Sequence, residues 1–133
     1  MTAPFIFIAT HTIKPGKRDA FKAYFAQFSS VVVEPAEPRL HSFYGYAAPD
    51  SDHVTIVQVH PDADSMTTHM KVGKDHFATA YAEYLDTESS LQIYGTLTDD
   101  LIRAISAAAQ NGADPSNVTI REPFAGFDRL PTT

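Results

Sequence analysis

His69 and His76 frame a short stretch, Thr68-His69-Met70 to His76-Phe77, whose residue types could move protons. Imidazole changes charge near neutral pH, so a histidine beside a cavity can take a proton from a bound molecule and return it. The nearest apolar residues, Met66, Met70, Phe77 and Tyr81, define the buried side of this stretch. His69 adjoins Met70 and His76 adjoins Phe77, which places both imidazoles at the boundary of that side, with little buried area. The same placement suits a histidine that bonds a backbone carbonyl or caps a helix. Tyr44, Tyr46, Tyr81, Tyr84 and Tyr94 add hydroxyls around the same space, and a buried phenol needs a hydrogen-bond partner. The stripe of Phe77, Tyr81 and Tyr84 facing Phe21, Phe25 and Phe28 is plain core or the wall of a cavity. A mostly apolar cavity with a few convergent hydroxyl and imidazole groups is the usual form of a small-molecule site. The catalytic candidates are therefore His69, His76 and Tyr81. The substrate-binding candidates are Tyr44, Tyr84, Tyr94 and Phe25, and the ligand they suit is a small aromatic or polyketide-like molecule.

Other chemistry finds no support. His60-Pro61-Asp62-Ala63-Asp64 reads as a strand end followed by helix-capping aspartates, and no metal site is assigned. His11 and His53 stand near strand ends and read as solvated surface histidines. Without cysteine the chain has no disulfide, thiolate metal site or cysteine nucleophile. Neither a Gly-rich phosphate loop nor a GxSxG elbow occurs, so no cofactor is expected. A net charge of -6 disfavours nucleic acid and anionic lipid surfaces as partners. No apolar run approaches the ~18 residues of a membrane helix, and the stretch from Ala3 to Ala9 lacks the form of a signal peptide. The expected location is cytoplasmic.

The positioning elements emerge from periodicity. Phe5 to Ile13 reads as a strand ended by Lys14-Pro15-Gly16, and Phe21, Tyr24, Phe25, Phe28 and Val32 trace one face of a helix that stops near Glu34-Pro35. Leu40 to Tyr46 and Val54 to His60 read as an antiparallel hairpin. Asp62 or Asp64 caps a helix broken at Val72-Gly73-Lys74, whose face resumes with Phe77, Tyr81, Tyr84 and Leu85, and Ser89 to Leu97 alternates as a fourth strand. Asp99 or Asp100 then caps a helix over Leu101 to Ala109, with a short strand at Val118 to Ile120 and a Phe-rich tail after it. This is an α+β, ferredoxin-like βαββαβ unit over residues 1-97. Residues 98-133 form a C-terminal extension packed on the same domain or on a partner subunit. Both faces of the first strand are apolar, Phe5 and Phe7 on one and Ile6 and Ile8 on the other, and the face without helices needs a cover. A second copy of the chain supplies one, so a homodimer is expected, with Phe124 and Phe127 docked on the barrel or the other subunit.

The strand leading into Ile13-Lys14-Pro15-Gly16-Lys17, the aromatic-rich helix, the hairpin and the Thr68-His69-Met70 to His76-Phe77 segment together resemble the antibiotic-biosynthesis monooxygenase domain, a dimeric α/β-barrel family. The resemblance covers about residues 5 to 97. It implies a cofactor-free monooxygenase acting on an electron-rich aromatic, with His69 as base and Tyr81 and Tyr94 orienting the substrate. An isomerase or cyclase using the same pocket, or a non-catalytic ligand-binding dimer, are the alternatives it leaves. The haem-degrading branch carries an Asn on the first strand, a Trp on the second helix and a haem-ligating His. Ala9, His69 and Tyr81 fall at those places, which speaks against haem degradation.

Overall fold

The computed structural model describes residues 3–110 and 114–129, with the side chains of 108–110 and 114–116 excepted. β1, Phe5–Ile13, is dense in β-branched and aromatic residues, and its burial alternates residue by residue. Phe5, Phe7, Ala9, His11 and Ile13 face the helices, while Ile6, Ile8, Thr10 and Thr12 face the other way. β1 sits in the middle of a five-stranded sheet of order β2 (Ser42–Ala47), β3 (His53–His60), β1, β4 (Leu85–Tyr94), β5 (Asp114–Arg121). Antiparallel to it run β3 and β4; β2 completes the hairpin with β3. β5 pairs parallel to β4. The ferredoxin-like α+β order expected from the sequence is the order observed.

Helices cover one face. α1, Arg18–Gln27, passes without a turn into a π-helix, Phe28–Val33, and the short α2, Glu34–Ala36. α3, Ala63–Val72, and α4, Lys74–Glu83, form the broken helix. Asp62 starts α3 by accepting from the Ser65 N–H at 3.0 Å. The break falls at Gly73 because the Phe77 ring lies over it: a Cβ there would stand 2.5 Å from Phe77 Cζ. α5, Asp99–Gln110, packs on α3. No helix among the described residues is long and apolar enough to cross a membrane.

Several boundaries differ from those read off the sequence. β4 begins at Leu85, not Ser89, because the Tyr84 N–H closes the helix on the Ala80 carbonyl and Leu85 then pairs with Ile13. Leu85 satisfies both a helical and a strand period, so its apolarity could not decide between them. The α5 start is held by Thr98, whose hydroxyl accepts from the Leu101 N–H at 3.2 Å, rather than by Asp99 or Asp100. β5 is also longer than Val118 to Ile120. Phe124 and Phe127 are exposed in the single chain.

The core has two lobes. Phe5, Phe7, Ala9, Met66, Leu91, Ile93 and Leu101 pack under α3 and α5, and Ile13, Phe21, Val54, Ala80 and Leu85 pack under α1 and α4. Leu101 is 0% exposed, which ties α5 into the first lobe. Truncating a fully buried leucine typically costs about 2–5 kcal/mol. Leu101→Ala is accordingly expected to lose about 3 kcal/mol of urea unfolding free energy in one cooperative transition. A loss below about 1 kcal/mol would mean that α5 contributes nothing to the core.

Candidate active site

Between the two lobes the helices stand off the sheet and enclose a cavity of about 550 Å³, within the usual range of ligand sites. The floor comes from the inward residues of the sheet, among them Phe7, Ala9, His11, Gln58 and Leu91. The walls come from Phe21, Tyr24, Phe25 and Phe28 on one side and from Met66, His69, His76, Phe77 and Tyr81 on the other, with Arg103 and Ile105 of α5 closing the end.

His69 is the best-defined polar group on this wall. It is 1% exposed, and its Nδ1 lies 2.9 Å and 3.0 Å from the two carboxylate oxygens of Glu37, itself 5% exposed. A carboxylate oxygen accepts, so Nδ1–H donates to Glu37. The other ring nitrogen, Nε2, has no hydrogen-bond partner among the described residues. The rings of Phe43 and Phe77 pack beside the imidazole, with centroids 5.2 Å and 5.5 Å from that of His69. His69 is therefore not a boundary residue as its neighbours in sequence imply, but a fully buried one. Glu37 was not legible as its partner.

His60 lies behind this pair, with 6.1 Å between the two imidazole centroids. Its Nε2 donates to Gln58 Oε1 at 2.9 Å, and its Nδ1 accepts from the Ser65 hydroxyl at 2.7 Å. Burial, with His69 adding to it, pushes the His60 pKa down to about 3, so this imidazole is neutral at ordinary pH. The metal reading of His60, Asp62 and Asp64 gains nothing here: among the described residues no group of three or more candidate ligands could hold an ion.

His11 corrects a second expectation. It is 6% exposed rather than solvated, because it shares the inward parity of Phe7 and Ala9, and burial lowers its pKa to about 4. Its Nδ1 has no partner among the described residues, and its ring meets that of Tyr81 edge-on at 5.7 Å. Tyr81 bonds Ser89, the residue opposite His11 across the sheet, and burial raises the pKa of its phenol, which keeps it protonated. His76 is half-buried and stacks on Phe28 at 4.5 Å, with Nδ1 3.4 Å from the Tyr24 hydroxyl, which donates to the His76 carbonyl at 2.8 Å.

Of the residues singled out by sequence, His69, His76, Tyr81 and Phe25 line the cavity. Tyr84 does not; it packs behind the wall against Tyr24 at 4.9 Å. Tyr44 and Tyr94 lie on the opposite face of the sheet, paired with Val57 and Ile6 in the outward register, so strand alternation removes them from the site.

Neither protein-family models nor curated proteins give a match to the chain. Solved structures do. MupZ from Pseudomonas fluorescens superposes with a TM-score of 0.71 at 18% identity, over 97% of this chain and 91% of that one. A Chloroflexus aurantiacus protein assigned to the antibiotic biosynthesis monooxygenases gives 0.53 at 22% identity, over 72% and 93%. A Bacteroides thetaiotaomicron protein with the same assignment gives 0.56 at 18% identity, over 68% and 84%. The resemblance drawn from the sequence thus holds at the level of fold. The extension after β4 is within the part shared with MupZ, which spans nearly the whole chain.

His11 and His60 bind protons in the unfolded chain near the ordinary value of 6.5 and in the folded chain only near 4 and 3. The unfolded state thus holds more protons between those values, so stability is full above about pH 6.5 and falls as pH drops toward 4. Each such histidine contributes at most about 1.4 kcal/mol per pH unit in that window. Urea midpoints measured from pH 7 to 4.5 should therefore fall steadily, and His11→Leu should remove about one histidine's share of the slope. An unchanged slope in the variant would show that His11 takes its proton while folded.

Proposed function

We propose that the chain is an enzyme that oxidises an electron-rich hydroxy-aromatic with dioxygen, beginning with removal of a substrate proton by His69. The observation that carries this reading is the buried Glu37–His69 pair, with Nε2 unpartnered on the wall of an apolar cavity. Glu37 fixes the tautomer and ring plane, and Nε2 accepts the proton. A neutral phenol reacts slowly with triplet oxygen, whereas its deprotonated form can pass one electron to it. Recombination of the two radicals forms a carbon–oxygen bond. The substrate loses two hydrogens and gains one oxygen atom, and the other oxygen leaves as water with the proton that His69 held. The dry wall of Phe25, Phe28, Phe43 and Phe77 keeps bulk water from the anion. The oxygen step is supported by the fold shared with proteins assigned to the antibiotic biosynthesis monooxygenases.

The same reading includes a homodimer formed sheet to sheet. Ile6, Ile8, Val57, Val59, Tyr44 and Tyr46 lie on one face that no helix among the described residues covers, with Tyr44 61% and Tyr46 56% exposed. Phe124, 100% exposed, supplies further apolar surface for a partner. Sedimentation at micromolar concentration is expected to give a dimer, and a monomer would refute this assembly.

Oxygen uptake with a panel of anthrone- and quinol-type compounds tests the activity. Glu37→Gln and His69→Gln are expected to lower kcat by about 10²- to 10⁴-fold. Removing one partner of a buried pair typically costs about 3–5 kcal/mol, so rates are to be compared per folded molecule, with circular dichroism as the control. Turnover that persists under nitrogen would replace oxidation by isomerisation or cyclisation, and undiminished turnover in both variants would remove His69 as the base.

A further inference from the structure

Charge is unequally shared along the cavity. Among the described residues, Lys71, Lys74 and Arg103 of the chain's ten Lys and Arg line it, and of its sixteen Asp and Glu Asp100 alone does. Arg103 already pairs with Asp100, one turn back on α5. Lys71 and Lys74 have no ion-pair partner among the described residues, and both are exposed, which puts them at the rim and not in the interior.

Helix stability accounts for one of them only. Lys71 stands in the last turn of α3, where a cation suits the carbonyl end of the helix. Lys74 stands in the first turn of α4, where the free N–H groups favour an anion and a cation is misplaced. Asp75 is the acidic residue of that turn, so the N–H end has its anion without Lys74, and no side chain caps it because its N-cap is Gly73. A chain of net charge -6 therefore keeps a positive rim over an apolar cavity, built from the two helix ends that meet at Gly73. The interior is the reverse in character, with His11 neutral and unpartnered on the floor. The volume sets the scale of what fits: an apolar cavity of about 150 Å³ holds one benzene, so about 550 Å³ suits roughly three fused rings.

We infer that the ligand of this cavity is an organic acid: a multi-ring apolar body enclosed between sheet and helices, with a carboxylate or phosphate held at the rim by Lys71 and Lys74. The inference rests on the cavity being the substrate site proposed above, but not on the reaction carried out there. An anion at the rim also fixes which end of the ring system enters first, and so which carbon comes to His69.

Calorimetric titration with anthracene-2-carboxylic acid, its primary amide and 2-anthryl phosphate tests this. The acid is expected to bind about tenfold tighter than the amide at low salt. That ratio should collapse toward one in the Lys71→Met/Lys74→Met double variant and in 1 M NaCl, while Lys22→Met, an exposed α1 position that does not line the cavity, retains it. A phosphate that outbinds the carboxylate would identify a phosphoryl group as the anion. Equal binding of acid and amide, or a preference that survives the double variant, would overturn the inference. An acid preference without base-dependent turnover would uphold it and remove the proposed reaction, and binding of none of the three probes would overturn the inference together with the cavity's role.

Discussion

A carboxylate withdrawn from water is the constraint around which this molecule is arranged. The side chains of His69 and Glu37 are 1% and 2% exposed, and an isolated charge so placed would cost several kcal/mol. The Nδ1–H of His69 offsets that cost, and the backbone holds Glu37 in place for it. The Glu37 N–H donates to the Val33 carbonyl at 2.9 Å, and its own carbonyl accepts from Leu40 at 3.2 Å. Just upstream, the π-helix Phe28–Val33 widens the coil and resets the phase of the residues after it, a device often found next to functional sites. In the proposed reaction, the proton taken up at Nε2 would be faced across the ring by Glu37. The protein environment thus favours the act proposed for it.

The cavity exists because the sheet puts different residues on its two faces. Inward parity brings Ala9 and His11 to the floor, and a small residue on β1 together with Ala80 on α4 leaves space that larger side chains would fill. Outward parity sends Ile6, Ile8, Val57 and Val59 to a face with no helix, which is where the proposed second subunit belongs. α5 joins the two roles, since Leu101 completes the core while Arg103 and Ile105 bound the cavity. The extension is therefore part of the site's architecture.

Much of this was legible in the sequence, and the rest was hidden for definite reasons. Regular periods gave the strand at Phe5, the aromatic helix, the hairpin and the break at Gly73. Tyr44 and Tyr94 were misplaced because a count of hydroxyls ignores the period of two that separates the faces of a strand. The same period, applied to Phe5, Phe7, Ala9 and His11, would have marked His11 as buried. Glu37 had no comparable signal: it sits between Pro35 and Pro38 in a polar-looking connection, and its contact with His69 spans 32 residues of chain. Long-range pairing of this kind is invisible to any local period. The burial of His69 was hidden with it, because its sequence neighbours alternate between apolar and polar.

The measurement that reaches the central claim most directly is the ¹⁵N NMR spectrum of the His69 imidazole in uniformly labelled protein at neutral pH, with and without a bound acidic phenol. The account predicts a proton on Nδ1 and a bare Nε2 in the free protein, and a second proton on Nε2 when the phenol binds as its phenolate. A proton resident on Nε2 in the free protein, or a phenol that stays neutral beside an unchanged imidazole, would contradict it.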